Sequence, residues 1–294
     1  MRGMTARAAL GACLAAILLL VTACAGAAGH HHLRGLGVAG YWSRSRLLGA
    51  GPFLAVHGVP FAGQSASSHL AGPRQGLRVG ALFERDETGD HFCTASVVDS
   101  PGKDLLITAA HCINGGKGSS GYKKDIEFIP DYRDGFAPAG VWTPLKLLVA
   151  PQWADSSSPD YDVGFVVLKP YDGKNIQQVL GANRLVTDAG YQYLVHVTGY
   201  PDSKSAPITC VNWTSRFSDT QLRFDCGGYA VGTSGSPWVT KFSPLSRSGS
   251  IVGVIGGYQQ GGDTPQVSYS VRFGSAVRQL YQQAVADEAA SGQG

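Results

Sequence analysis

The sequence predicts an all-β protein closed by one C-terminal helix, and three observations predict it. Short apolar runs recur between clusters of Gly, Pro, Asp and Ser. Glycine is abundant, at 40 of 294 residues, which suits a turn-rich chain. No helical pattern alternates with the apolar runs, so a parallel α/β sheet is not expected.

The runs fall at residues 79–83, 91–98, 105–108, 146–150, 163–168, 193–198, 221–224, 237–240, 251–255 and 267–271. The first is Val79-Gly80-Ala81-Leu82-Phe83, where the character of the chain changes. Leu105-Leu106-Ile107-Thr108 follows the turn signal Pro101-Gly102, and Asp162 stands at the mouth of the run that ends in Leu168. Strands of this length with such turns between them indicate a sandwich or barrel. The end of the chain differs. Val277, Leu280, Tyr281 and Ala284 follow the i, i+3, i+4, i+7 pattern after Ser275, a good N-cap. This spacing predicts a helix over 275–287, with a disordered tail at 289–294.

Charged residues make up 15% of the chain and hydrophobic ones 44%, enough apolar surface for a large core. The net charge of +3 is weak and no basic cluster carries interleaved aromatics, so nucleic-acid binding is not expected. Residues 1–25 read as an export signal. Arg2 and Arg7 precede an uncharged run from Ala8 to Ala23 that is too short for a stable membrane span. Two processing readings compete at its end. Val21-Thr22-Ala23-Cys24 is similar to a bacterial lipobox, which makes Cys24 a candidate lipidation site. Ala23-Cys24-Ala25 equally satisfies ordinary signal cleavage. The expected location is therefore outside the cell, free or lipid-anchored to the outer face of the membrane. Residues 26–75 are rich in Gly, Ala, Ser and His and read as a linker or propeptide that includes His57; His30-His31-His32 reads as a solvated polar tract in preference to a metal-binding one. The domain proper is expected over 76–288.

Cys13 and Cys24 lie in the signal region, leaving Cys93, Cys112, Cys210 and Cys226 for an oxidising compartment. Four cysteines allow three pairings. The preferred one joins sequence neighbours, Cys93 with Cys112 and Cys210 with Cys226. No C-x-x-C or matched histidine spacing is present, so no metal is expected.

Three segments carry chemistry. Thr108-Ala109-Ala110-His111-Cys112 presents a histidine after a strand, beside a cysteine that can tie its loop to Cys93. Such a closed loop of about 20 residues is worth about 3 kcal/mol. Asp160-Tyr161-Asp162 leads an acid into a buried strand, with Asp162 preferred over Asp160. Gly232-Thr233-Ser234-Gly235-Ser236-Pro237 sets a serine between glycines, where the backbone turns sharply and its N–H groups can converge. Acyl transfer needs all three. A serine hydroxyl needs a base within hydrogen-bond reach, a histidine supplies it near neutral pH, and a carboxylate orients the imidazole. The backbone N–H groups of Gly232 and Ser234 would bind the developing oxyanion.

In order and context these segments resemble the trypsin-like serine peptidases of the chymotrypsin fold, over about two-thirds of the chain from Val79 onward. Val197-Thr198-Gly199-Tyr200-Pro201 is similar to a segment of the secreted bacterial branch that includes the glutamyl endopeptidases. The resemblance implies two six-stranded antiparallel β-barrels with the site between them. It implies a catalytic triad of His111 and Asp162 from the first barrel and Ser234 from the second. It also implies a protein or peptide substrate and no cofactor. A monomer is expected, meeting a membrane only through an anchor at Cys24.

The chain departs from the family in places. Thr233 stands where animal members carry the aspartate that pairs with a freshly cut N-terminus, so that activation step is not expected. By position the substrate pocket has Gly228 and Tyr229 at its base and Ile255, Gly256, Gly257 and Tyr258 in its wall. No carboxylate is among them, and Ile255 replaces the histidine of the glutamyl endopeptidases. A neutral or apolar substrate side chain is therefore expected. Tyr258 either narrows the pocket or packs. Two alternatives to a peptidase are a catalytically inactive surface-binding protein on the same fold and an esterase of the α/β-hydrolase fold. The second needs G-x-S-x-G and the order Ser, Asp, His, and here Ser236 occupies the last glycine position.

Overall fold

The computed structural model describes residues 41–52, 66–72, 76–188, 190–202, 204 and 206–291. The expected export signal, Cys24, the histidines at 30–32 and His57 lie outside the described residues.

Six main strands build a first sheet: β1 (Val79–Asp86), β2 (Gly89–Val97), β3 (Leu105–Thr108), β4 (Lys124–Pro130), β5 (Pro144–Val149) and β6 (Gly164–Leu168). Their order is β4-β1-β2-β3-β6-β5, with every neighbouring pair antiparallel. Phe128 of β4 and Trp142, just before β5, exchange two backbone hydrogen bonds at 2.9 Å, which closes the sheet into a barrel. Six more strands build the second: β7 (Leu194–Gly199), β8 (Ile208–Arg216), β9 (Gln221–Gly227), β10 (Pro237–Ser243), β11 (Ser248–Val254) and β12 (Val267–Val271). Their order is β11-β10-β7-β8-β9-β12. Bonds from Val254 N–H to Ser270 Oγ (2.9 Å) and from Gly256 N–H to the Tyr269 carbonyl (3.0 Å) bring its two ends together. The protein is all-β, two six-stranded antiparallel barrels with a C-terminal helix.

The packing follows from the apolar runs. β3 and β6 are buried along their whole length, as their uninterrupted apolar sequences require. Leu82, Val97, Leu106, Phe128 and Val166 fill the first barrel. Val195, Val197, Phe224, Trp238 and Val252 fill the second. A third cluster joins Ile107, Phe165 and Val167 to Val239, Ile251 and Val254, so the barrels share a core. The terminal helix (Ser275–Ser291) buries Val277, Leu280 and Ala284 in that same cluster. Burial of one such Val or Leu contributes about 1.5–3 kcal/mol. The helix runs four residues past its expected end at 287, because Glu288 is buried and accepts from Ser100 Oγ at 2.5 Å.

Two long strands are absent from the sequence reading. β4, Lys-Asp-Ile-Glu-Phe-Ile-Pro, opens on charged residues, and β8 carries Asn212 and Ser215 among its apolar positions. β8 is stabilised by strands on both sides, and β4 by its ladder with β1 and the Phe128–Trp142 bridge, rather than by an apolar run of its own. Residues 41–52 also gain structure. A helix over Arg44–Gly49 and a short strand beside β2 dock Trp42 and Leu47 against Val79, Ala81 and Phe83.

Candidate active site

His111 sits at the end of β3. Thr108 Oγ1 donates to the Thr94 carbonyl at 2.8 Å, and the chain passes through fully buried Ala109 and Ala110 into one turn of 3-10 helix, Ala110–Cys112. Larger residues could not make this tight turn inside the core. Cys112 is disulfide-bonded to Cys93 of β2 and Cys210 to Cys226. The sulfurs of Cys93 and Cys112 and a ring nitrogen of His111 lie within 4.8 Å of one another. Both sulfurs are consumed by the disulfide, so this trio cannot act as a thiolate metal site.

Asp162 is fully buried at the mouth of β6, delivered there by the 3-10 turn Pro159–Tyr161. Its Oδ2 lies 2.8 Å from His111 Nδ1 and also accepts from Gly257 N–H at 2.9 Å. Its Oδ1 accepts from His111 N–H at 2.9 Å. Three N–H groups thus replace the water that a buried carboxylate loses. A carboxylate only accepts, so Nδ1 carries the proton and Nε2 is the basic nitrogen. Asp160 lies elsewhere in the network, accepting from Gln221 Nε2 at 2.7 Å. Trp153 backs the imidazole with ring centroids 6.3 Å apart, and its indole N–H is held by the Asn114 carbonyl.

Ser234 stands on the turn between β9 and β10. Gly232 and Gly235 both have positive φ, +91° and +83°. A Cβ on Gly235 would collide with the Thr94 carbonyl and Thr108 Oγ1, so the turn fits against the histidine segment only as glycine. Thr94 fastens it there, its N–H bonding the Ser234 carbonyl at 2.7 Å and its Oγ1 the Gly232 carbonyl at 3.1 Å. The sequence reading missed Thr94, although the residue adjoins Cys93. Within the turn, the amides of Thr233, Gly235 and Ser236 donate to Ala230, Ile255 and Thr233 carbonyls. Among the described residues, the amides of Gly232 and Ser234 donate to no backbone carbonyl. Thr233 is buried, and its hydroxyl bonds the Ala230 carbonyl at 2.6 Å, holding the loop without an ion pair.

No protein-family model matches the sequence, and no curated protein sequence is similar to it. Solved structures are similar. Protease Anisep from Arthrobacter nicotinovorans has a TM-score of 0.66 at 24% identity, covering 74% of this chain and 99% of its own. The thermostable serine protease AL20, from an extremophilic microorganism, has 0.66 at 25% identity, covering 73% and 99%. A Glu endopeptidase has 0.61 at 15% identity, covering 76% and 98%. The protein has the chymotrypsin fold.

Beside Ser234, this chymotrypsin-fold chain has a cavity of about 160 Å³. Of the residues expected to shape a substrate pocket, Tyr229 and Ile255 line it, while Gly228, Gly256, Gly257 and Tyr258 do not. Gly257 instead spends its amide on Asp162, and Tyr258 packs its ring against Phe217 and Tyr269 at 4.9 and 5.1 Å. Asp202, Ala230, Val231, Thr233 and the segment 260–265 form the rest of the wall. A larger cavity, about 520 Å³, lies between the β1–β2 turn and residues 115–124 and holds neither His111 nor Ser234. His196 stacks on Phe242 at 4.4 Å, away from these groups.

Proposed function

We propose that the protein is an exported serine endopeptidase that cleaves peptide bonds through an acyl-enzyme on Ser234. The observation that carries the proposal is the bond from His111 Nδ1 to buried Asp162, with Thr94 of β2 tied both to the serine turn and to Thr108 at the head of the histidine segment. In this reading His111 Nε2 takes the Ser234 proton as Oγ attacks the carbonyl carbon, then gives it to the leaving amine. Asp162 holds the tautomer and stabilises the imidazolium. The amides of Gly232 and Ser234 stabilise the oxyanion, each worth about 3 kcal/mol of barrier. Water then hydrolyses the acyl-enzyme by the same route.

Two disulfides favour an oxidising compartment. No helix among the described residues is long and apolar enough to cross a membrane. Intact mass of the mature chain decides lipidation, since an acyl group on Cys24 adds a fixed mass. The test of activity is labelling with a fluorophosphonate. The wild type labels and Ser234→Ala does not. Equal labelling of both refutes the peptidase reading and leaves the inactive binding protein.

A further inference from the structure

The cavity beside Ser234 differs in charge from the pocket expected by position. About 160 Å³ is well below the 300–1,000 Å³ or so of small-molecule sites, so it has room for one side chain. Its inner wall is apolar, with Tyr229 and Ile255, and the Tyr229 hydroxyl is already bonded to the Val197 carbonyl at 2.7 Å. Polarity comes from three other residues. Gln260 lines the cavity, and its Oε1 is buried with no donor among the described residues. Such an acceptor costs stability until a donor arrives. Asp263 and Asp202 line the cavity as well, both exposed, and neither is paired with a cation among the described residues. No Lys, Arg or His is among its lining residues.

Resting on the peptidase reading, we infer that this cavity selects a lysine or arginine side chain before the cleaved bond. The methylene stem lies on Tyr229 and Ile255. The charged head donates to Gln260 Oε1 and is attracted by Asp263 and Asp202. Asp202 also borders a neighbouring groove that holds Lys204, so Asp263 carries the larger share. The composition of this pocket was hidden because its carboxylates come from segment 260–265 and from the residue after Pro201, not from the stretch before the serine.

The experiment compares peptides that differ only in the residue before the cleaved bond, with Lys, Arg, Leu, Phe or Glu there. Lys and Arg give the highest kcat/KM in the wild type. Exposed charge pairs are worth about two- to fivefold each. Asp263→Asn therefore lowers the Arg-to-Leu ratio by about that factor, and Asp202→Asn by less. Gln260→Leu lowers it again. In Ser234→Ala, product peptides ending in Arg bind more tightly than those ending in Leu, and Asp263→Asn narrows the gap. The inference is overturned if fluorophosphonate-reactive protein prefers Leu, Phe or Glu, or if Asp263→Asn leaves both ratios unchanged. Absence of Ser234 labelling and of cleavage is a different result. It refutes the peptidase reading, and the inference with it.

Discussion

Trp42→Ala is the most informative perturbation of the fold, because it tests whether the segment before the first barrel belongs to the folded unit. Trp42 is 2% exposed, with its ring 5.2 Å from Tyr41 and 5.4 Å from Phe83. Its indole N–H donates to the Asp125 carbonyl, just inside β4. Removing a buried Trp side chain costs about 3–5 kcal/mol. Trp42→Phe keeps most of the apolar contact and loses the hydrogen bond, at about 1–2 kcal/mol. With a urea slope of about 2–3 kcal/mol per molar, the midpoint falls by about 1–2.5 M for alanine and about 0.3–1 M for phenylalanine. Equilibrium unfolding in urea followed by far-ultraviolet circular dichroism measures both, independently of the lost indole fluorescence. N-terminal sequencing of the mature chain should place its start before Tyr41. A midpoint within about 0.2 M of wild type for Trp42→Ala refutes the reasoning. So does a mature chain that begins after Pro52.

Further outcomes follow from the site and the terminal helix. Asp162→Asn keeps the shape but allows the wrong imidazole tautomer. It should lower kcat by about 10³- to 10⁴-fold with an unchanged circular dichroism spectrum, and less than a tenfold loss would remove Asp162 from the mechanism. Replacing Cys93 and Cys112 together by alanine opens a 19-residue separation and should cost about 3 kcal/mol of stability, read as a lower urea midpoint. A cost under about 1 kcal/mol would mean that the disulfide does not hold the histidine loop. Asp104 is raised to about 8 by burial and by the adjacent Glu288 carboxyl, which accepts from Ser100 Oγ and Gly102 N–H beside the Lys146–Asp287 ion pair. A raised carboxyl stabilises the fold fully below its unfolded value, about 4, and loses that contribution as pH rises through about 8. The melting temperature should therefore fall between pH 5 and pH 9, and Asp104→Asn should flatten that fall. An unchanged slope in the variant would exclude this pair as its source.

Much of the architecture was legible because apolar runs announce buried strands. β3, β6 and β10 and the terminal helix lie where burial alone demands them. β4 and β8 were not legible, because polar residues break their patterns and their neighbours supply the stability. Leu47, and the surface on which Trp42 packs, were not legible for a related reason. Two apolar residues in a Gly- and Ser-rich stretch carry no periodicity, yet each fits a gap left on the first barrel.

The expectation of His111, Asp162 and Ser234 as a triad rests on three segments in order, of which the histidine segment is specific alone and the aspartate segment is not. Their mutual placement is a tertiary matter. Sequence spacing says nothing of the Gly257 amide on Asp162 or of the two bonds by which Thr94 fastens the serine turn. The pocket is tertiary as well. Its two carboxylates, Asp202 and Asp263, and the Gln260 amide are brought beside Ser234 only by the folding of the second barrel. Local residue patterns determine which groups can react, because reactivity belongs to side chains and their nearest backbone. Which side chain is admitted depends on groups distant in sequence, and only long-range packing can bring those together.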